Sequence, residues 1–488
     1  MSRTAPRYPV GSAAPDRASD ERPAFSRRAV LGAVVAAAGL AACGESGDDG
    51  SATPSGTAQD RTEVATDAYI FGYPLVLMDA NREALTEGGG SNRFQHAAGL
   101  PVPSTRGSRR VGLDSLYSSA WLDLREEPMV LQVPEIDPRR YWVMQLLDAW
   151  TNTVHNPSSV RPQQAEGTAA PYAYLISGPG WSGSVPEGMR SLPMPTRMVW
   201  LLGRIQVNGR DDVPAVRAIQ TQLRLTPLSS WPPGAITSPP AGQEGPAELP
   251  EPPVEAVADM SARDFFDRMC ALMVDNPPAP EDAPALDRFA TVGITPGGHP
   301  RGIDTDELIA GADTARRQIA VYLDPLARTE NGWVINTDIG RYGTNYLLRA
   351  STANRGLGAN LAENAMYPTL FGDAGGDGAS VPFRLRFPPG ATPPVDAFWS
   401  LTAYGANGHL VANPAEIYSI GHQVPVVYQP DGTLELAVQY ADPGSTVPAG
   451  NWLPIPPAGQ FSLVLRLYAP REAALTGAWV PPPLEPVS

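Results

Sequence analysis

Phe461-Ser-Leu-Val-Leu-Arg-Leu-Tyr468 is the stretch of this chain that most directly indicates its fold. Phenylalanine and three leucines occupy every second position, and they alternate with Ser462, Val464, Arg466 and Tyr468. Successive side chains of a strand point to opposite faces, so this pattern predicts a half-buried strand. It is the last strand that the sequence predicts.

Two turns upstream of this strand predict further strands. Residues 425–439 (PVVYQPDGTLELAVQ) read as two strands around Pro430-Asp431-Gly432, a strong hairpin signal. Asn407-Gly408 is a second tight turn, between 400–404 and 410–411. Spaced strands joined by repeated turns predict a sandwich or a jelly roll.

The sequence before residue 336 mixes short strands with helices. Helical spacing of apolar residues predicts helices over 62–85, 260–275 and 304–325, the last with an apolar face that includes Ile309 and Leu323. Short apolar runs bounded by turn residues predict strands at 129–133, 141–147, 173–176 and 199–207. We therefore expect a mainly β protein with some helices (α+β), built of two β-rich modules, the C-terminal one jelly-roll- or sandwich-like.

Composition excludes several classes of function. A net charge of −15 argues against a nucleic-acid-binding surface, which needs basic patches. All 36 basic residues are arginine. Without lysine, the chain has no Schiff-base enzyme chemistry and no Walker-type phosphate loop. Only Cys43 and Cys270 are present, and Cys270 lies in a helical apolar pattern typical of a buried, unreactive cysteine.

Residues 26–43 (SRRAVLGAVVAAAGLAAC) are typical of an export signal. Arg27 and Arg28 resemble a twin-arginine signal, and Leu40-Ala-Ala-Cys43 resembles a lipobox that is cut before a cysteine destined for lipidation. The apolar run is shorter than the roughly 20 residues that span a bilayer. We expect an extracytoplasmic lipoprotein that is held at the cell membrane through Cys43. An ordinary cleaved signal, or a chance apolar run, is the alternative.

The partners expected from this signal are the twin-arginine translocase, the lipoprotein-processing enzymes and the membrane itself. Gly44–Asp60 (GESGDDGSATPSGTAQD) has no large apolar residue, which favours a flexible tether. No nucleic-acid partner is expected.

Several longer motifs resemble two bacterial families. Asp114-Ser-Leu-Tyr-Ser-Ser-Ala-Trp121-Leu-Asp123, with 92–96, 140–141, 145–148, 178–181, 203–204 and Gln220, is similar to domain of unknown function 1254. Ala397-Phe-Trp-Ser-Leu-Thr-Ala-Tyr404, with 345–350, 356–360, 431–432 and 451–456, is similar to domain of unknown function 1214. The resemblance implies two modules and a jelly-roll-like C-terminal part, but no established activity. Gly112 and Ser115 replace the family's usual asparagine and threonine, and Ile417 replaces an arginine.

The expected organisation follows from these assignments. Residues 1–43 form the signal, 44–60 the tether, and 61–231 the first module. Residues 232–335, which begin with a stretch rich in Pro, Glu and Gly, form a linker and a helical segment. Residues 336–488 form the second module.

The candidate site residues lie mainly in the first module. Asp114 and Asp148 flank apolar strands, where a pair of carboxylates facing a cleft would serve as general acid and base. With them, Tyr117 and His96 complete the candidate catalytic set. The candidate ligand-binding residues are aromatic or polar: Trp121, Asn152, Trp181 and Arg204. The alternative is structural, with aspartates (Asp123 among them) capping turns, aromatics filling a core and Arg204 in a buried pair.

Other chemistries receive no support from the sequence. The five histidines form no HExxH pair, so no metal site and no cofactor are expected. Asp373–Gly378 lacks the ligand series of a calcium loop, and no Gly-x-Ser-x-Gly elbow occurs. The hypothesis is a hydrolase or lyase acting on an extracellular carbohydrate or small organic substrate. A non-catalytic protein that binds a carbohydrate, a lipid or a cell-wall component is the alternative.

Overall fold

A computed structural model describes residues 57–86, 90–105, 110–231, 243–244, 253–376 and 380–487. The described residues are 28% helical and 25% strand, with several separate sheets, which confirms a mixed α+β fold with β-rich modules. Arg27, Arg28, Cys43 and most of 232–252 lie outside the described residues. Within the described part, no helix is both long and apolar enough to cross a membrane.

A long first helix organises an apolar helical layer. Phe71, Leu75 and Leu77 on this helix are fully buried, and they share a core with Phe265, Phe266 and Met269. The three predicted helices are confirmed, with ends that differ by a few residues. The helices are α1 (Ala58–Thr86), α2 (Val213–Gln220), α3 (Pro253–Asp259), α4 (Ala262–Asp275), α5 (Ala283–Ala290), α6 (Thr305–Val321), α7 (Tyr346–Gly356) and α8 (Glu472–Thr476).

Two sheets form the first module. The larger has the order β10-β1-β2-β8-β4-β5, and the smaller has the order β7-β6-β3-β9. Leu116, Met144 and Leu201 of the larger sheet share a core with Leu131 and Ile176 of the smaller, so the two form a sandwich. The strands are β1 (Gln95–His96), β2 (Ser115–Asp123), β3 (Met129–Val133), β4 (Trp142–Leu147), β5 (Thr153–His155), β6 (Tyr172–Ser177), β7 (Arg190–Pro193), β8 (Met198–Gln206), β9 (Arg224–Pro227) and β10 (Gln243–Glu244).

The second module is also a sandwich. One sheet has the order β11-β12-β14-β20-β16-β17 with β13 beside β20, and the other has the order β19-β18-β15-β21. Leu401 and Leu465 of the first sheet meet Leu385 and Leu436 of the second in one apolar core. The strands are β11 (Arg328–Glu330), β12 (Trp333–Ile335), β13 (Ala365–Met366), β14 (Thr369–Asp373), β15 (Phe383–Phe387), β16 (Trp399–Gly405), β17 (Ser419–Gly421), β18 (Leu434–Val438), β19 (Trp452–Leu453), β20 (Gln460–Tyr468) and β21 (Leu484–Pro486).

Strand β20 is buried on both faces, so the prediction of a half-buried strand is wrong. Phe461 and Leu463 face the sandwich core, whereas Ser462, Arg466 and Tyr468 on the other face are 2, 4 and 5% exposed. The cause is tertiary, because that second face meets the first module. The strand is not the last one either, since β21 follows it.

The hairpin predicted over 425–439 is wrong in its first arm. The turn itself is present, with Gly432 at φ 86° and a Gln429 N–H bond to Thr433 O of 2.8 Å. Residues before it form no strand, because the Asn451 side chain bonds both the N–H and the carbonyl of Val427 at 2.8 Å. Strand β18 pairs with β15 and β19 instead.

Candidate functional site

The segment 110–114 leads from the first module into the second. Arg110 N–H donates to Gly408 O at 2.8 Å, and Tyr404 Oη donates to Val111 O at 2.6 Å. These bonds fix the backbone immediately before β2. They place Asp114 between the larger sheet of the first module and the β16–β20 sheet of the second, a region that we call the junction.

Asp114 is completely buried in the junction. Its Oδ2 accepts hydrogen bonds from Ser400 Oγ at 2.8 Å and from Tyr468 Oη at 3.1 Å. Its Oδ1 lies 3.5 Å from His422 Nδ1. All three neighbours belong to the second module, so one carboxylate of the first module links three elements of the other.

The His422 ring is largely buried at the junction, where Nε2 has a hydrogen-bond partner and Nδ1 has none among the described residues. Its Nε2 lies 3.0 Å from Val207 O, and because a carbonyl only accepts, Nε2 carries a proton. Burial lowers the pKa of His422, although the Asp114 carboxylate and the bond to Val207 oppose the shift. Neither ring nitrogen is turned toward an open space. Asp114 and His422 therefore connect the modules rather than present a free general base.

Arg466 is the main cation of the junction. Its Nη1 donates to Thr402 Oγ1 at 3.0 Å, and its Nη2 donates to Tyr404 Oη at 2.7 Å and to Arg110 O at 3.0 Å. The guanidinium also lies over the Tyr404 ring, 5.7 Å from its centroid. All of these partners are formally neutral.

Arg204 is a second buried cation in the same region. It is 7% exposed, and it donates to Gln145 Oε1 at 2.5 Å and to Gly358 O at 2.9 Å. Its guanidinium lies 5.3 Å from the centroid of the Tyr117 ring. Across the described ranges, no carboxylate oxygen comes within 4.0 Å of a nitrogen of Arg204 or Arg466. The junction thus holds two guanidinium groups and one carboxylate.

A small opening, with room for a methyl group, lies beside Gly112, next to Tyr117 and Arg466. Tyr117 and Tyr367 keep part of their surface exposed although they lie between the two sheets. A methyl group built on Gly112 would lie 3.4 Å from Tyr117 Oη and 3.9 Å from Arg466 Nε. Gly112 therefore leaves room beside both groups. We call Gly112, Tyr117, Arg204, Tyr367 and Arg466 the junction site.

The phenols in and around this site act as hydrogen-bond donors. Burial raises the pKa of Tyr367 and of Tyr404, although Arg204 and Arg466 respectively oppose the shift. Burial also raises the pKa of Tyr468 well above its ordinary value, and the Asp114 carboxylate adds to the shift. These hydroxyls stay protonated at neutral pH. Tyr404 and Tyr468 already donate to Val111 O and to Asp114 Oδ2. The donors left for the opening are therefore Tyr117, Tyr367 and the guanidiniums, a chemistry that suits an anion.

Asp148 lies in a different environment from Asp114. It is 5% exposed and caps its own turn, accepting from the N–H groups of Trp150 and Asn152 at 2.9 and 2.8 Å and from Asn152 Nδ2 at 3.0 Å. Burial raises its pKa, and the bonds to Asn152 oppose the shift. Asp148 and Asn152 thus stabilise a turn, which is the structural role given above as the alternative to a catalytic or binding role.

The two carboxylates lie at opposite ends of one sheet. Ser115 pairs with Gln206 at one end, whereas Trp121 and Leu147 both pair with Trp200 near the other. Asp114 precedes Ser115 and Asp148 follows Leu147, so about eight residue steps, roughly 25 Å, separate them along the strands. The structure does not bring them together, and the hypothesis of a paired-carboxylate site is not supported by this geometry.

His96 lies on the opposite face of β2 from Tyr117. Its Nδ1 is 3.0 Å from Ser118 Oγ, its ring stacks on Phe94 at 5.4 Å, and it is 5% exposed. Burial lowers its pKa to about 4, with Arg217 and Arg224 adding to the shift. The structure places it in the sandwich of the first module, away from the junction site.

The remaining predicted residues are also apart from the junction. Trp121 stacks on Trp200 in the helical core, with centroids 5.4 Å apart. Trp181 packs against Met189 on the outside of the smaller sheet. Asp123 lines a cleft of about 170 Å³ and pairs with Arg125 at 2.5 Å. Of the predicted set, Asp114, Tyr117 and Arg204 lie at the junction, whereas Asp148 and Asn152 bond each other near the other end of the sheet.

Sequence reasoning missed the contribution of the second module. Tyr367, Ser400, His422, Arg466 and Tyr468 all lie in or beside the junction. One signal was available, because an arginine in the middle of an otherwise apolar strand is costly to bury without partners. Among the described residues, no group of three or more His, Cys, Asp or Glu side chains is placed to hold a metal ion.

Comparison with known proteins identifies a pair of modules in this order. The family model described as protein of unknown function DUF1254 matches residues 91–227, and the model described as protein of unknown function DUF1214 matches residues 364–472. The chain therefore carries a DUF1254 module followed by a DUF1214 module, as the motifs predicted. A search of curated proteins gave no match.

One solved structure shares the fold of this chain. The VPA0106 protein from Vibrio parahaemolyticus is 21% identical, with a TM-score of 0.63 over 88% of this chain and 100% of that one. An uncharacterized protein from Burkholderia cenocepacia is 14% identical, with a TM-score of 0.41 over 88% and 92% of the two chains. The first likeness shows a shared fold and carries no statement about activity.

Proposed function

We propose that this protein binds a small organic anion, such as a carboxylate, in the junction site, and that it does so as a lipoprotein on the extracytoplasmic face of the cell membrane. One observation carries the binding proposal: Arg204 and Arg466 are 7 and 4% exposed, and neither has a carboxylate partner within the described residues. Buried charges are normally paired, so an anionic ligand would complete the charge balance.

The donors around the opening suit such a ligand. Arg466 Nε and Tyr117 Oη border the space beside Gly112. The Tyr367 phenol, which burial keeps protonated, lies near enough to both guanidiniums for them to affect its pKa. Guanidinium and phenol groups give charge-assisted hydrogen bonds to a carboxylate. A neutral sugar would leave the junction with one more buried positive charge than negative, since Asp114 supplies one carboxylate against two guanidiniums.

The geometry favours binding over hydrolysis or elimination. Catalysis by paired carboxylates needs two groups about 5–10 Å apart around a substrate. Asp114 is instead enclosed by Ser400, Tyr468 and His422, and Asp148 caps a distant turn. Asp114 is a positioning residue in this proposal, since it holds the second module against the first.

Filling the space beside Gly112 tests the binding proposal. In Gly112→Val, the added side chain would occupy the opening next to Tyr117 Oη and Arg466 Nε. We expect wild type to be stabilised against heat by members of a panel of small carboxylates, and Gly112→Val to lose that stabilisation. Gly99→Val is the matched control, because Gly99 is exposed and has no atom within 4 Å of the added carbon. Equal stabilisation of both variants would contradict the proposal.

Removing one donor provides a finer test. Tyr367→Phe deletes a hydroxyl and keeps the ring, so the affinity for the best carboxylate of the panel should fall about tenfold in calorimetric titration. Tyr172→Phe, in the smaller sheet of the first module, is the matched control and should leave the affinity unchanged. An unchanged affinity in Tyr367→Phe would remove Tyr367 from the site.

The location is tested separately. Support for it comes from Arg27, Arg28 and the lipobox that ends at Cys43. Cys43→Ser removes the thiol that would be lipidated, so the protein should move from the membrane fraction to the soluble fraction. Substitution of both arginines by lysine should reduce export. Unchanged fractionation of Cys43→Ser would refute the anchor without bearing on the junction site.

A further inference from the structure

A short apolar segment follows α6 and faces solvent. Val321, Leu323 and Leu326 are 75, 81 and 69% exposed, more than any other large apolar side chain in the described parts of the chain. The sequence predicted that Leu323 continues the buried face of α6. The helix ends at Val321 instead, and Leu323 lies beyond it.

Polar bonds hold this segment in its outward conformation. Asp324 Oδ1 accepts from Leu326 N–H at 3.0 Å, and Asp324 Oδ2 accepts from Asn336 Nδ2 at 2.7 Å. Arg355 donates to the carbonyls of Ala320 and Tyr322 at the end of the helix. A turn stabilised by these hydrogen bonds therefore holds the apolar side chains toward solvent. Large exposed apolar groups held in this way are typical of a contact surface.

The packing of α6 against α1 gives the distance between this segment and the first described residues. Arg61 pairs with Glu307 at 2.6 Å, and Arg316 Nε donates to Tyr69 Oη at 3.1 Å, so α1 and α6 run in the same direction. The apolar segment thus lies one helix length, about 25 Å, from the end of α6 that adjoins the start of α1. The 14 residues from Cys43 to Thr57 span at most about 50 Å. A bilayer that holds Cys43 is within reach of the segment.

Charge beside the segment fits a membrane surface. Arg317 and Arg355 are exposed next to the apolar side chains, at the end of α6 and on α7. Arginines at the rim of an apolar patch suit the phosphates of lipid headgroups, while the leucines suit the acyl boundary. We propose that residues 321–326 insert shallowly into the bilayer to which the protein is anchored, and so fix the orientation of the body. This inference rests on the proposed extracytoplasmic lipoprotein.

A fluorescent probe on the segment tests the insertion. Mature lipidated protein carrying Leu323→Cys, labelled with an environment-sensitive dye, would be reconstituted into vesicles of phosphatidylcholine and phosphatidylglycerol (3:1). Buried Cys270 stays unlabelled in the folded protein. Spin-labelled lipids should quench this probe several-fold more than a probe at Val427→Cys, which is 48% exposed on the second module. Equal quenching at both positions would overturn the inference.

Further measurements distinguish insertion of residues 321–326 into a membrane from contact between two copies of the protein. Energy transfer between labelled copies, without quenching by lipid, would assign the segment to self-association and overturn membrane insertion. If wild type does not fractionate with membranes and Cys43→Ser behaves the same, the proposed anchor fails. If the protein is anchored and the Leu323 probe remains unquenched, only the insertion fails. Val321, Leu323 and Leu326 are exposed, so replacing all three by serine should preserve the fold and abolish any quenching at a probe on Arg317→Cys.

Discussion

One face of the larger sheet of the first module is covered in two different ways. At the end that carries Trp121 and Trp200, the α1 helix and its neighbours form an apolar core. At the end that carries Tyr117 and Arg204, the second module covers the same face with hydroxyls, a histidine and a guanidinium. The apolar end is held by packing, whereas the polar end is held by bonds whose partners come from distant parts of the chain. The polar end includes the small opening beside Gly112.

The largest effect is expected at the apolar end. Phe71 is fully buried and contacts Trp150, Phe289 and Tyr346, with ring centroids 4.9–5.3 Å apart. Phe71→Ala should lower the free energy of unfolding by about 4 kcal/mol, because it leaves a cavity. Denaturant titration measures this. The control Phe371→Ala, at a side chain that is 59% exposed, should cost less than about 1 kcal/mol.

A somewhat smaller effect is expected at the junction. Arg466→Met keeps the length of the side chain and removes its bonds to Thr402, Tyr404 and Arg110. The free energy of unfolding should fall by about 3 kcal/mol, since buried acceptors lose their donor. Arg471→Met, at an exposed ion pair with Asp396, should change it by less than about 0.5 kcal/mol. Equal losses in the two variants would mean that the junction contributes little to stability.

The pH dependence of stability tests the buried His96. The pKa of His96 falls from 6.5 to about 4 on folding. Between these two pH values, His96 is mostly protonated in the unfolded chain and mostly neutral in the folded protein. The stability present at neutral pH is lost as the pH falls toward 4, by about 2 kcal/mol between pH 7 and pH 5. Denaturant titrations at both values should show a smaller decline in His96→Gln. The same decline in both proteins would exclude His96 as its source.

The smallest effect on stability is expected at Asp123, which belongs neither to the apolar core around Trp121 and Trp200 nor to the junction. Its pair with Arg125 is exposed, with side-chain exposures of 58% for Arg125 and 32% for Asp123. Arg125→Ala should therefore change the free energy of unfolding by less than about 0.5 kcal/mol. It should also leave carboxylate binding unchanged in calorimetric titration. A loss of binding would place the ligand in the cleft beside Asp123 rather than at the junction.

Prediction from sequence succeeded for helices and strands whose residue pattern is complete within the element itself. The helix over 260–275 and the strand over 129–133 follow from local periodicity, and α4 and β3 confirm them. Tyr117 and Arg204 belong to one module and pair across β2 and β8, and both were selected as candidates. His96 and Asp148 carried the same kind of signal, since a polar residue beside an apolar strand marks either a site or a cap. No local pattern distinguishes a site residue from a cap at such a position.

Local sequence patterns suffice to predict the two β-rich modules and their order, because alternation, helical spacing and turn residues act over a few neighbouring positions. The sequence also supplies the basis for the proposed export and lipidation at Arg27, Arg28 and Cys43, which are read as linear motifs. The burial of Arg466, the contact of Asp114 with His422 and the position of Asp148 at the other end of the sheet depend on tertiary packing. Contacts between residues hundreds of positions apart depend on how two sheets pack, and no local pattern encodes that packing.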